Sequence, residues 1–154
     1  MDLNYLNRSL KIKSNDIFAL YDRGETYRML GKYDEALLDF NRLLELEPNG
    51  KEALSSRGAT YKALKKYYEA LSDLNRSLEI EPNNNFTLFY RGKTYRTLGK
   101  YDAALLDFNR SLGLEPDDHD DHETLSSRGC RGAMEISENE ILKIINGFGI
   151  QRWI

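Results

Sequence analysis

The densest run of side chains able to do chemistry is Asp117-Asp118-His119-Asp120-Asp121-His122, six consecutive residues that could each ligate a metal. Imidazole and carboxylate suit Zn²⁺ or Ni²⁺, but a site needs its ligands to converge on one ion. The favoured reading is a solvated acidic linker, and no metal is expected. Cys130 has no histidine fixed beside it by any pattern, so no nucleophile–base pair forms on paper. No glycine-rich loop follows a strand, because no strand is predicted. The expectation is a chain that is not an enzyme and takes no cofactor. Cations recur instead: Lys32, Lys66 and Lys100, then Arg42, Arg76 and Arg110. Acidic residues alternate with them and the formal net charge is −3, so they read as a mixed-charge surface. Nucleic acid is not an expected partner, and an RNA-binding repeat protein is kept as the weaker alternative.

Charged residues make up 31% of the 154-residue chain and apolar residues 40%, which suits a folded protein rather than a disordered one. No segment approaches the roughly 20 apolar residues needed to span a bilayer, so no membrane partner is expected. The opening MDLNYLNRSLKIK has neither the basic start nor the apolar run of a secretory signal. A single cysteine excludes an internal disulfide framework and fits a reducing compartment, with the cytoplasm as the expected location. Asn-x-Ser/Thr triplets at Asn7, Asn75, Asn85 and Asn109 follow from repetition and are not read as glycosylation sites.

The elements that position these residues come in copies. Arg23 to Pro48, RGETYRMLGKYDEALLDFNRLLELEP, returns at Arg91 to Pro116 with 21 of 26 positions unchanged, and a looser copy runs from Arg57 to Pro82. The period is 34 residues. Within a copy, Leu20, Gly24, Tyr27 and Leu30 recur at helical spacing, Gly31-Lys32 breaks the run, and Ala36, Leu37, Phe40 and Leu44 form a second helical stripe. Pro48, Pro82 and Pro116 occupy one repeat position and are expected to close the second helix each time. Gly24, Gly58 and Gly92 sit inside first helices, opposite Ala36, Ala70 and Ala104, and predict close helix approach. Tyr27, Tyr61 and Tyr95, with Phe40, Leu74 and Phe108, are expected to fill the seam between units. The units expected are 17–50, 51–84 and 85–118, preceded by the second helix of a truncated repeat at 1–14. After them, 122–154 is expected to hold a degenerate repeat helix and an apolar C-terminal helix or tail.

The pattern Leu20-x2-Arg23-Gly24-x2-Tyr27, Ala36-x3-Phe40, Pro48 resembles the tetratricopeptide repeat (TPR) family over residues 17–118. Two positions depart from it: Leu20, Leu54 and Leu88 stand for tryptophan, and Arg23, Arg57 and Arg91 for the usual leucine. The resemblance implies an all-α solenoid of antiparallel helix pairs, a right-handed superhelix with its first helices lining a concave groove. It places Phe18, Tyr21, Glu25, Arg28 and Met29 in that groove from the first unit, and Glu52, Ser55, Ala59, Lys62 and Ala63 from the second. The third contributes Phe86, Phe89, Lys93, Arg96 and Thr97. Arg28, Lys62 and Arg96 then form a basic row, with aromatic surface from Phe18, Tyr21, Phe86 and Phe89 at the two ends. Such a groove suits a peptide or partner protein with acidic and apolar side chains.

TPR domains that read Hsp70 or Hsp90 tails use a carboxylate clamp of lysine and asparagine in the first unit, asparagine in the second, and lysine and arginine in the third. Here the matching positions are Tyr21, Glu25, Ser56, Phe86 and Tyr90, so a clamp binder is not expected. The ends carry a different expectation. An array begun in mid-unit leaves Leu3, Leu6 and Leu10 without their first helix and fits a piece of a longer array. The tail offers Ile141, Ile144, Ile145 and Trp153 for burial. Self-association through these ends, as a homodimer or an exchange of helices, is expected alongside groove binding, and a scaffold with an empty groove is the alternative.

Overall fold

A computed structural model of the chain describes residues 2–113, and they form seven helices with no strand among the described residues. These are α1 (Leu3–Ile12), α2 (Ile17–Met29), α3 (Tyr33–Leu46), α4 (Lys51–Ala63), α5 (Tyr67–Ile80), α6 (Asn85–Thr97) and α7 (Tyr101–Ser111). None of these helices is long and apolar enough to cross a membrane. The acidic run Asp117–His122, Cys130 and the apolar tail with Ile141, Ile144, Ile145 and Trp153 lie outside the described residues.

Local chemistry sets the helix ends. Asp16 caps α2 by accepting from the Phe18 and Ala19 amides, and Asn84 caps α6 through the Thr87 amide. Between paired helices the chain turns through a left-handed residue, Gly31 at φ +74° and Gly99 at φ +73°. The middle unit puts Lys65 there at φ +61°, a conformation that costs a non-glycine residue about 1–2 kcal/mol. Helices α3 and α5 stop two residues before Pro48 and Pro82. The third unit departs from expectation: α7 ends at Ser111, and Gly113 at φ +67° turns the chain before Pro116 is reached.

The pairs α2–α3, α4–α5 and α6–α7 pack tightly because each first helix offers a glycine to a large side chain. A Cβ on Gly24 would lie 2.8 Å from Phe40 Cε1, one on Gly58 2.8 Å from Leu74 Cγ, and one on Gly92 2.7 Å from Phe108 Cε1. Phe40, Leu74 and Phe108 are therefore committed inside their own unit, not only at the seam between units. Each second helix also packs on the next first helix, α1 on α2, α3 on α4 and α5 on α6. First helices touch one another along the array, α2 with α4 and α4 with α6, while second helices do not touch. That asymmetry bends the array with its first helices on the inner side.

One apolar cluster crosses the first two unit boundaries, joining Leu6 and Leu10 to Ala19 and Leu20, and Leu43 and Leu44 to Ala53 and Leu54. This corrects the expectation for the N-terminus. Leu6 and Leu10 are only 2% and 8% exposed, and Leu3 is half-buried. A second helix shares its apolar face with the following first helix, so α2 covers them even though α1 has no preceding partner.

Candidate functional site

Two constellations recur through the helix pairs, one between them and one on the inner side. The first is built on the arginine that stands for leucine. Arg23 Nε and Nη2 donate to Asp39 at 2.8 and 2.7 Å, and Nη1 donates to Asn7 Oδ1 at 2.9 Å. Arg57 repeats this with Asp73 at 2.6 and 2.8 Å and Asn41 at 2.8 Å. Arg91 repeats it with Asp107 at 2.7 Å twice and Asn75 at 2.9 Å. The three aspartates are buried. Hydrogen bonding to the carboxylate holds each guanidinium above its ordinary pKa against the opposing effect of burial. Each arginine also lies over a tyrosine of its own helix, Tyr27, Tyr61 or Tyr95, at 5.7–5.9 Å. Every unit thus fastens its own helix pair through Arg–Asp and ties itself to the preceding unit through Asn. The sequence carried a signal for this, since Asn, Arg and Asp recur in register at spacings of 16.

The second constellation is the groove. Phe18, in the first turn of α2, is 77% exposed. Tyr21 is half-buried, its ring 6.2 Å from Phe40 and its hydroxyl 3.4 Å from Ser56 Oγ. Burial raises its pKa, more than the Ser56 contact lowers it. On α6, Phe86 is 38% exposed and stacks on Tyr90 at 4.5 Å, while Phe89 meets Tyr90 edge-on at 5.7 Å and Phe108 at 6.1 Å.

The basic row does not behave as one. Arg28 donates to Glu25 through Nε at 3.0 Å and Nη2 at 2.8 Å, and lies over the Phe86 ring at 5.9 Å. Burial pulls its pKa down, but Glu25, hydrogen-bonded to it, and Tyr90 hold it above the ordinary value. Because Arg28 of α2 reaches Phe86 of α6, side chains meet over α4. Ser55 and Ala59, expected to line the groove, are only 5% and 3% exposed. The aromatic surface of α6 is accordingly not isolated at a far end. Tyr90, which sequence reasoning passed over except as a clamp position, joins the two. Lys62 and Arg96 are half-buried and form no salt bridge among the described residues. Lys93 lies 5.2 Å from the Phe89 ring centroid.

The three recurring arginines of the second helices have structural partners. Arg42 donates to Asn15 at 2.8 Å, Arg76 to Asn49 at 2.9 Å and Arg110 to the Pro82 carbonyl at 2.9 Å, each tying a second helix to a loop. Among the described residues no group of three His, Cys, Asp or Glu could hold a metal ion.

Comparison with known proteins follows this geometry. Residues 17–49, 52–84 and 86–118 each match the profile described as tetratricopeptide repeat. No curated protein sequence gives a significant match. The crystal structure of MamA is similar at TM-score 0.65 and 20% identity, over 72% of this chain and 65% of that one. The second TPR of Spaghetti bound to the HSP90 peptide SRMEEVD is similar at TM-score 0.61 and 25% identity, over 67% and 96%. A tetratricopeptide repeat protein from Parabacteroides merdae is similar at TM-score 0.65 and 29% identity, over 73% and 44%. The chain thus spans about two thirds of the length of MamA and under half of that of the Parabacteroides protein.

Proposed function

The chain belongs to the tetratricopeptide repeat family, and from that premise we propose that it is a non-enzymatic, cytoplasmic interaction module whose concave groove receives a segment of a partner protein. The observation that supports this is the exposure of two phenylalanines, Phe18 and Phe86, in the first turns of α2 and α6, helices that lie along the inner side of the array. Apolar rings beside cations are the groups that make hot spots in peptide grooves. The peptide-bound Spaghetti domain supports the same use of this fold, although the clamp positions here hold Tyr21, Glu25, Ser56, Phe86 and Tyr90. The test is a photo-crosslinking amino acid placed at position 18 in the groove or at position 68 on α5, where Tyr68 is equally exposed. Crosslinks to a partner from position 18 and none from 68 are expected. Capture from 68 alone would remove the groove from the mechanism.

Self-association is the second reading, favoured by Tyr101, Leu105 and Leu106, all exposed on α7, where the counterpart of Leu105, Leu71, is buried. Leu3, with Ile141, Ile144, Ile145 and Trp153, would extend such a contact, whereas Leu6 and Leu10 are already spent in the core. Sedimentation should then show a dimer that Leu105→Lys converts to monomer; a monomer throughout the micromolar range would end this reading.

A further inference from the structure

Lys62 and Arg96 occupy the same repeat position in the last turns of α4 and α6, two first helices in direct contact. Their counterpart Arg28 is neutralised by Glu25. The positions that correspond to Glu25 are Ala59 in the second unit and Lys93 in the third. The sequence therefore removes the carboxylate and then replaces it with another cation. Neither Lys62 nor Arg96 has a carboxylate within ion-pair distance among the described residues. Burial lowers the pKa of half-buried Lys62, and the positive charges of Lys93 and Arg96 lower it further. A helix C-terminus favours one cation, but that applies equally to Arg28, which still keeps its carboxylate. Two half-buried cations without a carboxylate among the described residues thus stand on neighbouring first helices, an arrangement complementary to an anion.

We propose that Lys62 and Arg96 form the anchoring subsite for neighbouring carboxylate side chains of an acidic peptide segment, whose apolar residues lie on Phe86 and Phe89. This rests on the groove reading and sharpens it. A nucleic acid fits less well. Single-strand binding uses a continuous cationic track with rings free to stack on bases. Here Glu25 and Glu52 interrupt the track.

The probe is a fluorescein-labelled peptide of alternating Glu and Leu with an amidated C-terminus, titrated with the full chain and followed by anisotropy. A Gln-for-Glu version and an oligouridine serve as competitors. The Glu peptide is expected to bind with an affinity that falls as salt rises, and Lys62→Gln with Arg96→Gln to weaken it about tenfold or more. Lys32→Gln with Lys66→Gln removes the same charge outside the groove and is expected to leave binding unchanged. The proposal is overturned if the Gln peptide binds as well, if the control pair weakens binding equally, or if oligouridine displaces the peptide. Absence of Glu-peptide binding while position 18 still crosslinks a partner removes the acidic subsite and leaves the groove. Absence of both removes the groove as well.

Discussion

The Arg–Asp–Asn fastening and the groove are both built at 34-residue intervals, yet one is the same in every unit and the other varies between units. Arg23, Arg57 and Arg91 have matching partners at matching distances. On the inner side, Glu25 gives way to Ala59 and then Lys93, and Phe18 to Glu52 and then Phe86. A buried ion pair must be complete wherever it occurs, because an unpaired charge in its place is heavily penalised. A groove position has no such internal constraint. What repeats is what each unit needs in order to pack; what differs is what the surface presents.

Substitutions can break or sharpen that contrast. Asp73→Ala strands Arg57 in a partly buried site and should cost about 3 kcal/mol or more in denaturant unfolding. Arg57→Leu with Asp73→Leu should recover much of this, since the polar pair is then removed as a unit. A loss no larger than that of an ordinary surface change would end the claim that this fastening is structural. Gly58→Ala places a Cβ 2.8 Å from Leu74 Cγ and 3.2 Å from the Ala70 carbonyl. Overpacking of about 1–3 kcal/mol, less about 1 kcal/mol gained from helix propensity, should leave a net loss in thermal unfolding.

Groove changes should run the other way. Lys62→Met relieves a crowded ammonium and should stabilise the free protein by about 0.5–1 kcal/mol at neutral pH. The sign of its pH dependence follows from linkage. The folded-state pKa lies below the ordinary 10.5, so between those two values the unfolded chain holds more protons. Wild-type stability should therefore rise with pH through that alkaline window relative to Lys62→Met, and matched unfolding curves at neutral and alkaline pH would show the gap closing. The smallest change is Glu25→Gln, which releases Arg28 and leaves the first unit, like the second, without a carboxylate at this position. It should strengthen Glu-peptide binding about two- to threefold at little cost in stability, as expected for a helical i,i+3 ion pair. No gain would mean that Arg28 stays occupied by Phe86 and Tyr90.

Much of the fold was legible in the sequence because its determinants are local or periodic: the 34-residue recurrence, the in-helix glycines, and the prolines after α3 and α5. The third unit shows the limit, since Gly113 ends α7 ahead of the proline that the period pointed to. The burial of Leu6 and Leu10 was missed because a second helix was counted as belonging to one partner when it serves two. In the groove, residue identities were legible but not their commitments. Glu25 lies three residues from Arg28 and could have been paired with it. The reach of Arg28 to Phe86 joins residues 58 positions apart and depends on array curvature, which no single repeat encodes. The partnership of Arg57 with Asp73 was visible as a recurrence, but only the packed helix pair turns a spacing of 16 into two hydrogen bonds.

One consequence of the asparagine link concerns inheritance rather than stability. Each unit leaves an acceptor, Asn7, Asn41 or Asn75, and each following unit brings the arginine that uses it. Removing residues 51–84 would bring Arg91 to Asn41, and duplicating them would create another matching pair. Unequal recombination between near-identical stretches therefore yields arrays of new length in which every junction is already complete. Such an array can be lengthened or shortened in a single genetic event, and the event changes only which groove residues stand side by side.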